Sequence, residues 1–345
     1  MALEFSERVR RIPTYPAAGA YALPEDVALL ASNESPDPPL PEVVEAVTRV
    51  LGGLNRYPDP TSSKLRRALS DRYGVPSERI AVGNGSCDIL LAAGEALLEP
   101  GAEIVYAWPS FSVYPHLAAA SGATAVTVPV NERDEHDLEA MAAEITAATR
   151  LVLVCNPNNP TSTALPFEAI AAFVERVPRH VCVIVDEAYC EFNTLDDPDT
   201  TLDLLPRHSN LVLLRTFSKI HGLCGLRVGF GLCGSDEFVG AVNQVRQPFF
   251  CNAAAQAAAI EALRTRTRST RASSGRSSPG WRSRTACASW ASPSPTRRPT
   301  SAGCTCPCPT ARTPARSRRG SSPDWPIAGC SSAPATRSGG PGRCA

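Results

Sequence analysis

Lysine occurs twice in the 345 residues, and only one of the two stands where an amine could act as a nucleophile. Lys64 lies in SSKLRRALSDRYG, a charged stretch most simply read as a solvated helix face. Lys219 closes LVLLRTFSK, an apolar run followed by hydroxyls. An amine at the mouth of a buried strand, partly stripped of water, can form an imine with an aldehyde, whereas an ordinary loop lysine is merely solvated. The partners favour the first reading. Asp186 ends VCVIVD, where a carboxylate can face a cationic ring nitrogen or simply cap a helix. Tyr189 follows three residues on, and Asn159 follows another apolar run; both can donate to a phenolic oxygen. The turn Gly83-Asn84-Gly85-Ser86 opens a helical stretch whose free N–H groups and dipole favour an anion. Thr216 and Ser218 add hydroxyls, and Arg227 in GLRVG adds a charge-assisted donor between glycines that permit close approach. Phe111, in WPSFSVY, can stack on a planar ring or serve as a core aromatic.

An aldehyde that also carries a ring nitrogen, a phenolic oxygen and a phosphate is pyridoxal 5'-phosphate. It serves as an electron sink only while its ring nitrogen stays protonated, which is what a facing carboxylate secures. No single piece decides the matter. Their chain order on successive strand ends does.

The elements that must hold these residues are legible. IAV (80–82), EIVYA (103–107), LVLVC (151–155), VCVIV (181–185) and LVLLR (211–215) are short β-branched runs separated by helical stretches such as CDILLAAGEALL and FEAIAAFVERV. Such continuous apolar runs predict strands buried on both faces of a mainly parallel sheet, an α/β class with three layers. Each run delivers its polar cluster at its C-terminal end, where open parallel sheets bind ligands. GNGS, PSF, NPNNPT, DEAY and TFSK are therefore expected to converge.

The formal net charge of zero hides an asymmetry: residues 264–345 hold fifteen arginines and one acid, so residues 1–263 are strongly acidic. After Leu263 there is no Leu, Val, Met, Phe or Tyr. Such a segment cannot bury enough apolar surface to offset its ordering entropy and is expected to be disordered. We read it as out-of-frame translation of a GC-rich gene, not as a nucleic-acid-binding tail; an undisturbed reading frame at codon 263 would contradict this. The expected organisation is an N-terminal arm with part of a small domain (1–40), a large cofactor domain (41–263) and an aberrant tail (264–345).

Several classes are disfavoured. MALEFSERVRRIP has charges where an export signal needs apolar residues, and no run approaches a membrane span. Cys87, Cys155, Cys182, Cys190, Cys224, Cys233 and Cys251 read as small core hydrophobes of a reduced cytoplasm. The five histidines have no metal spacing, the CTCPCP run (304–309) matches no usual zinc pattern, and no metal is expected. Ser218 lacks a nucleophile-elbow context, and the glycines form no dinucleotide fingerprint.

GNGS, PSFSVYP, NPNNPT, DEAY, RTFSK and GLRVG, in that order, resemble the fold-type I pyridoxal-phosphate aminotransferases. Within that class they are most similar to the histidinol-phosphate aminotransferases, with IPTYPAAG (12–19), ASNESP (31–36) and NRYPDP (55–60) agreeing. The resemblance implies that Lys219 carries the cofactor and shuttles the proton. It further implies that Asp186, Asn159 and Tyr189 bind the ring, and that Gly85, Ser86, Cys87, Thr216, Ser218 and Arg227 surround the phosphate. Tyr57 is implied to reach the cofactor phosphate of a second copy, hence a homodimer with shared sites. Tyr15 and Asn33 are implied to line the substrate pocket. Cys87-Asp88 stands where relatives carry Asp-Glu, Ser162 where they carry Gly, and Cys224 where Ala is common. No segment after Leu263 resembles the apolar small domain that carries the arginine for the substrate carboxylate.

The implied reaction is transamination between histidinol phosphate and 2-oxoglutarate, in histidine biosynthesis. An aromatic or other amino-acid aminotransferase stays open, because the cofactor motifs do not encode side-chain preference. So do a lyase resembling threonine-phosphate decarboxylase and an inactive out-of-frame product.

Overall fold

All five apolar runs become strands of one sheet in this computed structural model, which describes residues 3–12 and 32–273. The described chain begins with α1 (Glu7–Arg11), α2 (Pro41–Leu51) and α3 (Ser63–Tyr73). The sheet region follows as β1 (Ile80–Gly83), α4 (Ser86–Leu97), β2 (Glu103–Trp108), α5 (Tyr114–Ser121), β3 (Thr124–Pro129), α6 (Leu138–Ala143), β4 (Thr149–Cys155), α7 (Phe167–Arg176), β5 (Cys182–Asp186), β6 (Leu211–Thr216) and β7 (Gly229–Cys233). Helices α8 (Asp236–Val245) and α9 (Ala253–Ser273) close it.

The spatial order is β1-β7-β6-β5-β4-β2-β3. Strands β3, β2, β4, β5 and β6 run parallel, while β7 pairs antiparallel with both β6 and β1. Period-two alternation feeds two cores. Val152, Val154, Val183, Val185, Leu211 and Leu213 face one, with α7 and α9; Leu151, Leu153, Ile184, Val212 and Leu214 face the other, with α4 and α5. Helices on both faces leave the central strands no solvated side, which is why they read as unbroken apolar runs.

Two strands were not legible as apolar runs. The edge strand β3, TAVTVP, buries only Val128. The other, β7, is GFGLC, and its glycines serve packing: a Cβ on Gly231 would lie 3.2 Å from Val212 Cγ1.

Helix α9 crosses the composition break. Ala255, Ala258, Ala259, Ala262 and Leu263 are buried, and the helix continues to Ser273, so the boundary expected at 263/264 falls within an element. Tyr15 and the tail from residue 274 onward lie outside the described residues. Among the described residues no helix is long and apolar enough to cross a membrane, and no cluster of potential metal ligands occurs.

Candidate active site

Strand β5 ends on Asp186 and β6 on Thr216, and the two strands are paired neighbours. The expected convergence beyond these ends is observed. The Lys219 amine lies 5.5 Å from the ring centroid of Tyr189 and donates to the carbonyls of Ser32 (3.0 Å) and Asn33 (3.1 Å). Burial holds its pKa below the usual lysine range, with the nearby Arg227 charge acting in the same direction. A lowered pKa enlarges the neutral fraction, the form that can attack a carbonyl.

Asp186 is 3% exposed. Burial raises its pKa to about 6, although a hydrogen bond from the Tyr114 hydroxyl (2.9 Å) and one from the Ala188 amide (3.2 Å) oppose the shift. A carboxylate so placed forms no ion pair among the described residues and suits a ligand that brings a cation. Tyr189 has its hydroxyl hydrogen-bonded by the Asn33 amide at 2.8 Å, and burial pushes its pKa up to about 12. Asn159 sits partly buried just beyond β4.

The anion cradle is built at the start of α4. Its N-cap is Gly85, at φ 81°, and no side chain caps the helix, which leaves the Ser86 and Cys87 N–H groups without a capping side chain while the Asp88 N–H donates to the Gly85 carbonyl. A Cβ on Gly85 would lie 2.6 Å from Arg227 Nη2, and one on Gly229 would lie 2.4 Å from the Ser86 nitrogen. Glycine is favoured at 85 by its positive φ and demanded at 229 by the close approach of the Ser86 backbone. Arg227 is anchored by donation to the Cys224 carbonyl at 2.8 Å. Thr216 donates to Ser218 at 3.0 Å, and both are buried. Cys87 is partly buried, its thiol pKa raised by burial and then by Asp186.

Phe111 packs edge-to-face on Tyr114, with centroids 5.7 Å apart. Tyr57, expected to serve a second copy, stands apart from this cluster: it is 81% exposed and stacks on Phe249 at 4.4 Å. Asn33, expected at the substrate, bridges Lys219 and Tyr189. Tyr114 was missed by sequence reasoning. The signal was the FSVY spacing, which sets Phe111 and Tyr114 on one side of the turn into α5. Ser110 was also missed; it donates to Asn158 at 2.8 Å and ties the PSF loop to the NPNNPT loop.

The raised pKa of Asp186 has a sign that can be checked. Between pH 3.8, its ordinary value, and about 6, the folded form holds the proton more tightly than the unfolded chain. By linkage, stability from this group is greatest below that window and falls as pH rises through it. The hydrogen bond from Tyr114 acts mainly on the ionised form. Tyr114→Phe is expected to cost about 2 kcal/mol at pH 8 and about 1 kcal/mol at pH 5 in cofactor-free protein, measured by urea denaturation. An equal cost at both pH values would contradict that role.

Comparison with known proteins gives this geometry its context. Residues 25–279 match the family model "Aminotransferase class I and II". The chain is 49% identical over 238 residues to the aromatic amino acid aminotransferase of Thermobifida fusca, covering 68% of this chain and 65% of that enzyme. It is 46% identical over 237 residues to histidinol-phosphate aminotransferase 2 of Ralstonia nicotianae, covering 69% and 63% respectively. The chain thus spans slightly under two thirds of the length of these relatives. The crystal structure of histidinol-phosphate aminotransferase from Sinorhizobium meliloti in complex with pyridoxal-5'-phosphate superimposes with a TM-score of 0.71, at 29% identity, over 79% of this chain and 74% of that one.

The residues fit that cofactor on their own terms. A buried carboxylate suits a ring cation, an uncapped helix start beside Arg227 and two glycines suits a phosphate, and a partly buried amine stands near Tyr189. The chain belongs to the class I and II aminotransferases, and its cofactor is pyridoxal 5'-phosphate.

Proposed function

We propose that the chain transfers an amino group from an aromatic amino acid to a 2-oxo acid. The observation that carries this is the pairing of strand ends: Lys219 follows β6 and Asp186 ends β5, with the anion cradle beside them. Pyridoxal 5'-phosphate, when bound, supplies a carrier for the amino group and an electron sink for the pair released at the substrate Cα. Lys219 would hold the cofactor at rest and, once freed, would move the substrate Cα proton to the cofactor carbon that takes up the amino group. Asp186 keeps the ring nitrogen protonated, and Tyr114 keeps Asp186 oriented and ionised. Tyr189 and Asn159 bind the phenolic oxygen. Ser86, the Cys87 amide, Thr216, Ser218 and Arg227 bind the phosphate, and Phe111 covers the ring.

The exposed Tyr57–Phe249 stack favours a homodimer in which Tyr57 serves the second copy's cofactor. The described cysteines are all free thiols, in keeping with a reducing cytoplasm.

For the substrate, the sequence motifs put histidinol phosphate first. The relatives move aromatic amino acids ahead, since the names they carry are mostly of that kind. Histidinol phosphate remains the second reading, favoured by the Ralstonia and Sinorhizobium enzymes. Both substrates place a flat ring one methylene from the amine-bearing carbon, and they differ in what replaces the carboxylate. If the tail from residue 264 is out of frame, the arginine that would hold a carboxylate is missing, and a weakened KM for amino acids is the expected consequence.

The full chain, supplied with cofactor and 2-oxoglutarate, is to be tested against phenylalanine, tyrosine, tryptophan and histidinol phosphate, with glutamate formation as the readout. Faster glutamate formation from the aromatic amino acids supports the first reading, and faster formation from histidinol phosphate the second. Release of carbon dioxide from threonine phosphate without glutamate would mark a lyase. Cofactor binding with no glutamate from any of the four would contradict the proposed activity.

A further inference from the structure

Two charged residues of the strand-end motifs have no part in the chemistry above: Glu187 of DEAY and Arg215 of RTFSK. They are 3% and 2% exposed. Each adjoins a cofactor residue in sequence, Asp186 and Thr216, but period-two alternation turns it to the opposite side of the sheet. There they form one ionic network. Arg215 Nε donates to Glu187 Oε2 at 2.7 Å and Nη1 to Asp199 Oδ1 at 2.7 Å, while Nη2 donates to the Pro198 carbonyl. Thr201 donates to Glu187 Oε1 at 2.6 Å, and Arg72 donates to the second oxygen of Asp199 at 2.7 Å. The Arg215 guanidinium also faces the Tyr73 ring at 5.2 Å.

The network thus joins the end of β5, the end of β6, the loop at 198–201 and the last turn of α3. A buried ion pair adds little to stability compared with well-packed apolar side chains of the same volume. Its planar fork, however, fixes relative position within narrow limits. What it fixes here is the offset between two strand ends, one delivering Asp186 and the other delivering Thr216, Ser218 and Lys219. A misplacement of about 1 Å in such an arrangement can cost on the order of a hundredfold in rate.

We propose that Glu187 and Arg215, braced by Asp199, are positioning residues that set the distance between the ring-nitrogen carboxylate and the cofactor lysine. They touch neither cofactor nor substrate. The inference rests on the assignment of Asp186 and Lys219 to the cofactor.

The test uses the full chain and measures cofactor dissociation constant, visible circular dichroism of the bound cofactor and melting temperature. Glu187→Gln is expected to weaken cofactor binding about tenfold and to diminish the visible dichroism. The double variant Glu187→Gln/Arg215→Met leaves no unpaired buried charge at its centre. It is expected to melt within a few degrees of wild type yet to bind cofactor at least tenfold more weakly. A purely structural pair would recover affinity together with stability, and that result overturns the proposal. Should the double variant fail to fold, Asp199→Asn at the outer end is expected to weaken binding about threefold, and an unchanged constant overturns the proposal equally. Wild-type protein that binds no cofactor would contradict the site assignment itself, whereas wild-type and variant proteins that bind alike would contradict only the positioning role.

Discussion

Lys219→Ala is expected to lose all covalently held cofactor and to slow amino transfer about ten-thousandfold or more, since the same amine both tethers the cofactor and moves the Cα proton. Nothing else in the chain can replace it. The other lysine, Lys64, is exposed on α3, and no other primary amine sits near Asp186 among the described residues. The fold should survive the change, because among the described residues the Lys219 amine donates to just two backbone carbonyls, those of Ser32 and Asn33. The expected outcome is therefore a protein of near-normal melting temperature that borohydride cannot lock to its cofactor. Turnover within tenfold of wild type would contradict both roles at once.

Asp186→Asn should act in opposite directions on the empty and loaded protein. Without cofactor, the aspartate is a buried carboxylate, and burial holds its pKa near 6. A neutral isostere removes the cost of ionising it, so the empty variant should be more stable than wild type at pH 8 and about equal to it near pH 4. With cofactor present the sign reverses. The cationic ring nitrogen loses its partner, a loss of about 2–5 kcal/mol in affinity and transition-state stabilisation together, or roughly thirtyfold to a few thousandfold. Urea denaturation across pH, with and without cofactor, checks both halves. A variant that binds cofactor as tightly as wild type would remove Asp186 from the site.

What could be read from the sequence followed from burial. The strands β4, β5 and β6 are covered on both faces, so their apolar runs were continuous and their polar ends conspicuous. That placed Lys219, Asp186, Asn159 and Tyr189 together although sixty residues separate the first and last of them. What escaped depends on the third dimension. Strand β7 hid because its glycines accommodate close neighbours, which no hydrophobic pattern records. Tyr114 was not singled out: the FSVY spacing sets it beside Phe111, but only the folded chain brings its hydroxyl to a carboxylate 72 residues away. Glu187 and Arg215 stand in DEAY and RTFSK with no role assigned from the sequence; their pairing appears only once β5 and β6 lie side by side. Tyr57 shows the converse case, a residue implied by resemblance whose ring partner among the described residues is Phe249.

The most direct test uses the chemistry of the primary amines themselves. Purified full-length protein is incubated with pyridoxal 5'-phosphate, reduced with borohydride, digested and mapped by mass spectrometry. The cofactor mass is expected on the peptide bearing Lys219, in near-stoichiometric amount, with Lys64 unmodified. Label confined to Lys64 or the N-terminus, in protein shown to be folded, would contradict the active site described above.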